Sequence, residues 1–313
     1  MIAARAAAII RAAMDSPTPP RLRVRAETGP DALVAFTYPP AGRGPAAVDC
    51  ALLAGAPVEA WCAGDGHYAV RIFEVAEADG DIERAAAEAY RQLLAQVRPS
   101  AQPYLLRIWN YFADINAGEG DQERYRRFCV GRASAVDAMF NEVPPAATAI
   151  GADGGPGRLQ VVALCSKAPA IALENPRQTP AWRYPREHGP VSPGFSRGAV
   201  LDADTATPRL MASGTASIVG HVSQHVGDFA AQLRESLDNL ATLLEQGHQA
   251  TGRRFPLGGC EALRVYLRHP ADLATAQAIL ATSGIDTTRI SYLRGDICRR
   301  ELDVELEGVF AAS

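Results

Sequence analysis

The sequence predicts an α+β fold in which one unit occurs twice in tandem, each copy a mixed sheet with helices packed on one face. Three pairs of segments carry this expectation. GDIERAAAEAYRQLLAQV from Gly80 and GDFAAQLRESLDNLATLL from Gly227 share an Asp at the N-cap position followed by apolar residues at a helical period. LRIWNYFAD from Leu106 answers to LRVYLRHPAD from Leu263, each an apolar strand-like run leading into a second helix. LQVVAL from Leu159 answers to LDVELE from Leu302. The order in each half is strand or hairpin, helix, strand, helix, strand.

A chain of 313 residues with 48% hydrophobic content can bury one large core or two ordinary ones, and the length favours two domains. Residues 1–19 read as an N-terminal extension, 20–173 as the first copy, 174–198 as a Pro-rich connector and 199–313 as the second copy. In the extension, Arg5 and Arg11 cut the apolar run shorter than a signal peptide needs, and no later span has the length of a transmembrane helix. The expected location is cytoplasmic. With 31 Lys and Arg against 35 Asp and Glu, charge supplies no reason to expect nucleic acid or an anionic membrane as partner. The six cysteines, at 50, 62, 129, 165, 260 and 298, form no CxxC pair and suit reduced thiols.

The stretch LDVELEGVF, Leu302–Phe310, raises a question of charge. Strand alternation puts Leu302, Val304 and Leu306 on one face and Asp303, Glu305 and Glu307 on the other. Such a row commonly meets water. Held away from water, one of its carboxyls would have a raised pKa and could donate a proton, and its neighbours' charge would raise it further. The repeat bears on the choice, because the place of Glu305 is taken in the first copy by Val162, so the position can be buried.

His221 and His225 have the i, i+4 spacing of a helical metal pair but precede the helix and have no third ligand at a zincin spacing, so no metal is expected. GADGGPG at Gly151 lacks the GK[ST] ending of a phosphate loop and reads as a turn or bulge, and there is no GxSxG elbow. In YRRFCVGR, helical spacing gathers Tyr125, Phe128, Cys129 and Arg132 near one face; a core-facing Arg is unusual unless it meets an anion, while a solvated Arg is the plainer alternative. The small residues of MASGTAS from Met211 suit a strand that something approaches closely, be it a ligand or the other domain. The connector, with five prolines, also carries Trp182, Tyr184 and Phe195, which favours a packed segment lining a cleft over a floppy linker.

Taken together and in this order, LRIWNYFADIN, YRRFCVGR, AATAIGADGG, ENP, ASGTASIVGH, SLDNL and DVELEG resemble the chorismatase family, from about Tyr104 to the C-terminus. The second copy alone also resembles the YjgF/RidA-type (chorismate-mutase-like) unit, through SGTAS, SLDNL and VELEG. The resemblance implies a degenerate first YjgF-like domain and a second that carries a catalytic glutamate. It also implies a cofactor-free cleavage of chorismate in which Glu305 protonates the methylene of the enolpyruvyl ether. The substrate's two carboxylates call for two anion clamps, Arg132 and Arg197, with Tyr125 and Tyr184 as hydroxyl donors; Arg197 is the looser match. Family members that hydrolyse chorismate carry alanine at two positions where those making 3-hydroxybenzoate carry glycine and cysteine, here Gly214 and Cys298. The implied products are pyruvate and 3-hydroxybenzoate, alone or with 4-hydroxybenzoate as in a subgroup similar to the pigment-pathway enzymes of xanthomonads.

Three other readings compete: a chorismate hydrolase giving a dihydroxycyclohexadiene carboxylate, an imine deaminase of the RidA sort, and a non-catalytic sensor of aromatic acids. The expected partner is chorismate, and the expected assembly a monomer or small homo-oligomer.

Overall fold

The computed structural model describes residues 67–152 and 157–313 in full and, before them, the backbone of four strands, β1 (Arg23–Ala26), β2 (Val34–Thr37), β3 (Asp49–Leu53) and β4 (Glu59–Gly64). The expected extension, residues 1–19, lies outside the described residues, as does the middle of GADGGPG.

The first copy continues with β5 (Tyr68–Ala76), helix α1 (Ile82–Val97), β6 (Tyr104–Phe112), the short helices α2 (Arg124–Ala133) and α3 (Ala138–Glu142), β7 (Ala146–Gly151) and β8 (Arg158–Ser166). After β9 (Ile171–Leu173) and the connector come β10 (Gly198–Leu201), β11 (Arg209–Ala216), the hairpin β12 (Ile218–Val219) and β13 (Val222–Ser223), and helix α4 (Phe229–Thr251). The chain ends with β14 (Cys260–Leu267), helix α5 (Leu273–Leu280), β15 (Ile290–Arg294), β16 (Asp296–Ile297) and β17 (Val304–Ala311).

Both long helices start where their Asp predicts. The Asp81 carboxylate accepts from the Arg84 N–H and that of Asp228 from the Ala231 N–H, each satisfying one orphan donor of the first turn. The apolar stripe of α1, with Tyr90 and Leu93 at its centre, packs on the outer face of a sheet ordered β16-β7-β6-β8-β5-β4-β3. In the same way α4 and α5 cover the outer face of a sheet ordered β15-β14-β17-β11-β10-β9. The two inner faces meet in a third core, to which Val162, Trp109, Met211 and Tyr266 contribute. The result is a helix–sheet–sheet–helix stack.

The repeat holds residue by residue. Trp109 of β6 faces Val162 of β8, and Tyr266 of β14 faces Glu305 of β17. Both matched segments therefore keep one register, with β8 and β17 central in their sheets. Two expectations need correction. Each copy has one more strand than the sequence suggested, β7 parallel to β6 and β15 parallel to β14; AATAIG is built of small residues and ISYLR is a half-exposed edge, so neither shows strong strand alternation. Two short strands also cross between halves: β9 pairs with β10 of the second sheet, and β16 pairs with β7 of the first. Among the described residues no helix is long and apolar enough to cross a membrane.

Val162 is completely buried between the sheets. Val162→Glu places an unpaired carboxyl there and is expected to lower stability by roughly 3 kcal/mol or more. Urea unfolding measures it; a parent-like midpoint would contradict the buried, apolar environment assigned to this position.

Candidate active site

In β17, Val304, Leu306 and Phe310 join the core under α4, so Glu305 and Glu307 point inward at the other sheet. The row of carboxylates does not meet water. Asp303 departs from the expected row: it precedes the strand, and its carboxylate lies near the Gln232 amide and His269. It plays no part in the charge around Glu305.

Glu307 is held by five side-chain donors. Arg107 donates to it at 2.6 Å and Arg264 at 2.6 Å, Thr148 Oγ1 at 2.6 Å, Trp109 Nε1 at 3.0 Å and Tyr266 Oη at 3.0 Å. Burial alone would raise its pKa, yet Arg264 and Arg107 hold the carboxyl below its ordinary value, so it stays ionised. Arg107 and Arg264 occupy the same place in the two copies, the Arg of LRIW and of LRVY. Sequence reading missed both, although a shared Arg in two strand-like apolar runs was the available signal.

Glu305 is equally buried but has no such partners; among the described residues no side chain donates a hydrogen bond to it. Burial, and then the charge of Glu307, push its pKa up to about 8, against the opposing pull of Arg107 and Arg197. It is a carboxylic acid at neutral pH. Two neighbouring carboxyls are thus driven apart, one ionised and one protonated.

Thr148 joins the two. While donating to Glu307 and accepting from Arg107, its Oγ1 also accepts from the Gly214 N–H at 2.9 Å. Gly214 lies against Glu305 so closely that a methyl added to it would overlap Glu305 Oε1. The small-residue strand β11 therefore admits a close approach, and what approaches is the protein's own acid. The end of β11 is fixed from the helix side, where the Asn239 amide of the SLDNL motif donates to the Ala216 and Ile218 carbonyls.

Glu305 opens on a cavity of about 350 Å³ that all seven residues singled out from the sequence line: Tyr125, Arg132, Tyr184, Arg197, Gly214, Cys298 and Glu305. The first copy supplies Tyr125 and Arg132 from α2, the connector Tyr184 and Phe195, and the second copy the acid. Arg132 is 4% exposed and lies over the Tyr90 and Phe128 rings with no carboxylate in ion-pair range among the described residues. Gly131 lets α2 press on the Glu83 carbonyl of α1, which directs Arg132 inward. Arg197, 5% exposed, donates to Tyr184 Oη at 2.7 Å and to the Thr179 carbonyl at 2.9 Å, likewise without an ion pair. Two buried cations without counterions leave room for a dianion.

Burial, with the charge of Glu305 adding, raises the Cys298 pKa, so Cys298 is a thiol and not a thiolate nucleophile. Of the connector aromatics, Trp182 is a correction: it is 38% exposed and does not line the cavity, because its side chain leaves the short 3₁₀ turn Ala181–Arg183 on the outer side. His221 and His225 do not converge on one ion, since His225 turns to Glu235. His188, Thr148 and Arg299, which sequence reading passed over, line the cavity too.

Residues 51–165 match the family model described as chorismatase FkbO/Hyg5-like, N-terminal. The chain is 39% identical over 232 residues to a chorismatase of Streptomyces rapamycinicus, covering 72% of this chain and 69% of that protein. The chain belongs to the chorismatase family. Within the family it is also 35% identical over 239 residues to a 3-hydroxybenzoate synthase of Streptomyces hygroscopicus, covering 74% of this chain and 70% of that one. A chorismatase crystal structure superposes with a TM-score of 0.77 at 31% identity, covering 94% of this chain and 89% of the other.

The raised pKa of Glu305 sets a sign for stability. Between its unfolded value near 4.5 and its folded value near 8, the unfolded chain has lost the proton that the folded chain keeps. This group's contribution is therefore most favourable below the unfolded value and is lost as pH rises to about 8, at about 1.4 kcal/mol per pH unit. Glu305→Gln, which cannot ionise, is expected to gain stability relative to the parent over that window. Denaturant titrations at pH 5 and pH 8 check it, and a constant difference between the two proteins contradicts a protonated Glu305.

Proposed function

We propose that this chorismatase converts chorismate to pyruvate and 3-hydroxybenzoate, alone or with 4-hydroxybenzoate, and that Glu305 is its general acid. The observation that carries the proposal is a carboxyl kept neutral at the wall of a cavity that also holds two buried guanidiniums, Arg132 and Arg197, without an ion pair among the described residues. Protonating a weakly basic enol carbon near neutral pH needs an acid that still has its proton there.

Arg132 and Arg197 would clamp the substrate's two carboxylates, with Tyr125 and Tyr184 as hydroxyl donors beside them. Glu305 gives its proton to the methylene carbon, leaving an oxocarbenium-like centre. The substrate's own 4-hydroxyl then displaces the ether oxygen from the ring, pyruvate leaves with that oxygen as its carbonyl, and the arene-oxide-like ring opens to the hydroxybenzoate. The proton that the 4-hydroxyl loses in that displacement replaces the one Glu305 gave, so the two products together have the composition of chorismate. A Cys298 thiol and a Gly214 without a side chain would shape the cavity so that water does not capture the cation first. The similarity to a protein named 3-hydroxybenzoate synthase supports this choice of product over hydrolysis. No observation favours an imine deaminase or a sensor.

Glu305→Gln is expected to cut pyruvate release by about 10²-fold or more, since general acid catalysis supplies roughly 10²- to 10⁴-fold. Turnover within about tenfold of the parent would overturn the assignment. The parent's activity should fall as pH rises through about 8, where the acid loses its proton.

Product choice is tested at two residues. A methyl at 214 must push the Glu305 carboxyl aside, so Gly214→Ala is expected to slow pyruvate release more than Cys298→Ala does. The double variant should turn from hydroxybenzoate toward the dihydroxycyclohexadiene acid, a change that needs only about 2–3 kcal/mol of differential barrier. Chromatography of chorismate digests reads both; unchanged hydroxybenzoate at full rate removes these residues from product control.

A further inference from the structure

At one side of the cavity, three ligand-type atoms from two segments meet. His188 Nε2 and His221 Nδ1 are 3.0 Å apart, His221 Nδ1 and Glu187 Oε1 3.3 Å, and His188 Nε2 and Glu187 Oε1 3.5 Å. We propose that Glu187, His188 and His221 form a site for a divalent transition-metal ion of the zinc class, a site separate from the acid chemistry at Glu305.

The geometry is the first argument. Zinc held by His nitrogen and carboxylate oxygen at about 2.0–2.1 Å in a tetrahedron requires its ligands to stand about 3.3–3.4 Å from one another. The three edges straddle that spacing, so a single ion reaches all three atoms with little movement, and the fourth position is left to water or to a carboxylate oxygen of a bound anion. The donor set is the second, since two imidazole nitrogens and one carboxylate oxygen are ligands that zinc takes.

Both segments are held in place before any ion arrives. The turn Arg186–His188 is tied down by the Arg186–Asp121 pair at 2.9 and 2.5 Å, and His188 packs against the Tyr184 ring. Across from it, Gly220 bonds with the connector through Arg177 and Thr179, and Arg299 donates to the His221 carbonyl. The two imidazole nitrogens select the ion's class, since they suit zinc and its neighbours, whereas Mg²⁺ and Ca²⁺ take a shell of oxygens. His188 also lines the cavity, so an ion here stands at its wall.

The site departs from the metal-free expectation and from the His221–His225 spacing visible in the sequence, and this sets the experiment. Chelator-stripped full-length protein is titrated with Zn²⁺ against a chromophoric chelator. One bound equivalent is expected, weakened by at least about tenfold in each of Glu187→Gln, His188→Gln and His221→Gln, a loss no smaller than outer-shell changes cause. His225→Gln should bind like the parent. Co²⁺ in place of Zn²⁺ should give the intense visible bands of a four-coordinate ion in the parent, and these should be lost in Glu187→Gln, whose exposed side chain can change without unfolding the protein. Absence of a bound equivalent overturns the proposal, as does binding that depends on His225 and not on His188.

Discussion

One carboxylate, Glu307, ties the two halves of the molecule together. It reaches from the central strand of the second sheet to Arg107 of the first and Arg264 of its own, so a single buried anion is shared by two cations from equivalent places in the repeat. Such a cluster is tolerable between two apolar sheet faces only because every lone pair is met, here by Trp109, Thr148 and Tyr266 as well. In the first copy the corresponding residue is Leu164, and no carboxylate occupies the matching place. The two copies thus supply two arginines and one acid at these matching places.

The candidate active site takes its electrostatics from that cluster. Glu307 takes the strong donors, and Glu305, two residues before it on the same face, is buried beside a fixed negative charge with none of its own. Two carboxyls of identical type so acquire opposite states, through unequal sharing of donors more than unequal burial. Thr148 carries the arrangement further, since the same hydroxyl that binds Glu307 fixes the Gly214 backbone against the Glu305 carboxyl. The position of the acid and its protonation share one origin.

The arginines around the cavity divide by the same logic. Arg126, Arg186 and Arg177 are spent on carboxylates at the rim and in the connector, whereas Arg132 and Arg197 face aromatic rings, hydroxyls or carbonyls and keep their charge for a ligand. An anion entering the cavity meets Arg132 and Arg197 buried in its wall and without an ion pair among the described residues.

Much of this was written in local sequence. The Asp caps, the helical periods and the strand alternation are short-range signals, and the matched segments put Val162 opposite Trp109 as they put Glu305 opposite Tyr266. Helical spacing put Tyr125 and Arg132 on one face, and the family resemblance pointed to the other residues that the cavity brings together. What one chain of letters could not express is which donors reach which acceptor across two sheets. Arg107 and Glu307 are 200 residues apart, and His188 and His221 are 33, so their meeting depends on how the inner faces and the connector pack. Asp303, Glu305 and Glu307 look alike in LDVELE. Only the packing assigns one to the surface loop, one to the role of neutral acid and one to that of buried anion, because a carboxyl's pKa is set by its solvent and its donors and not by its place in the chain.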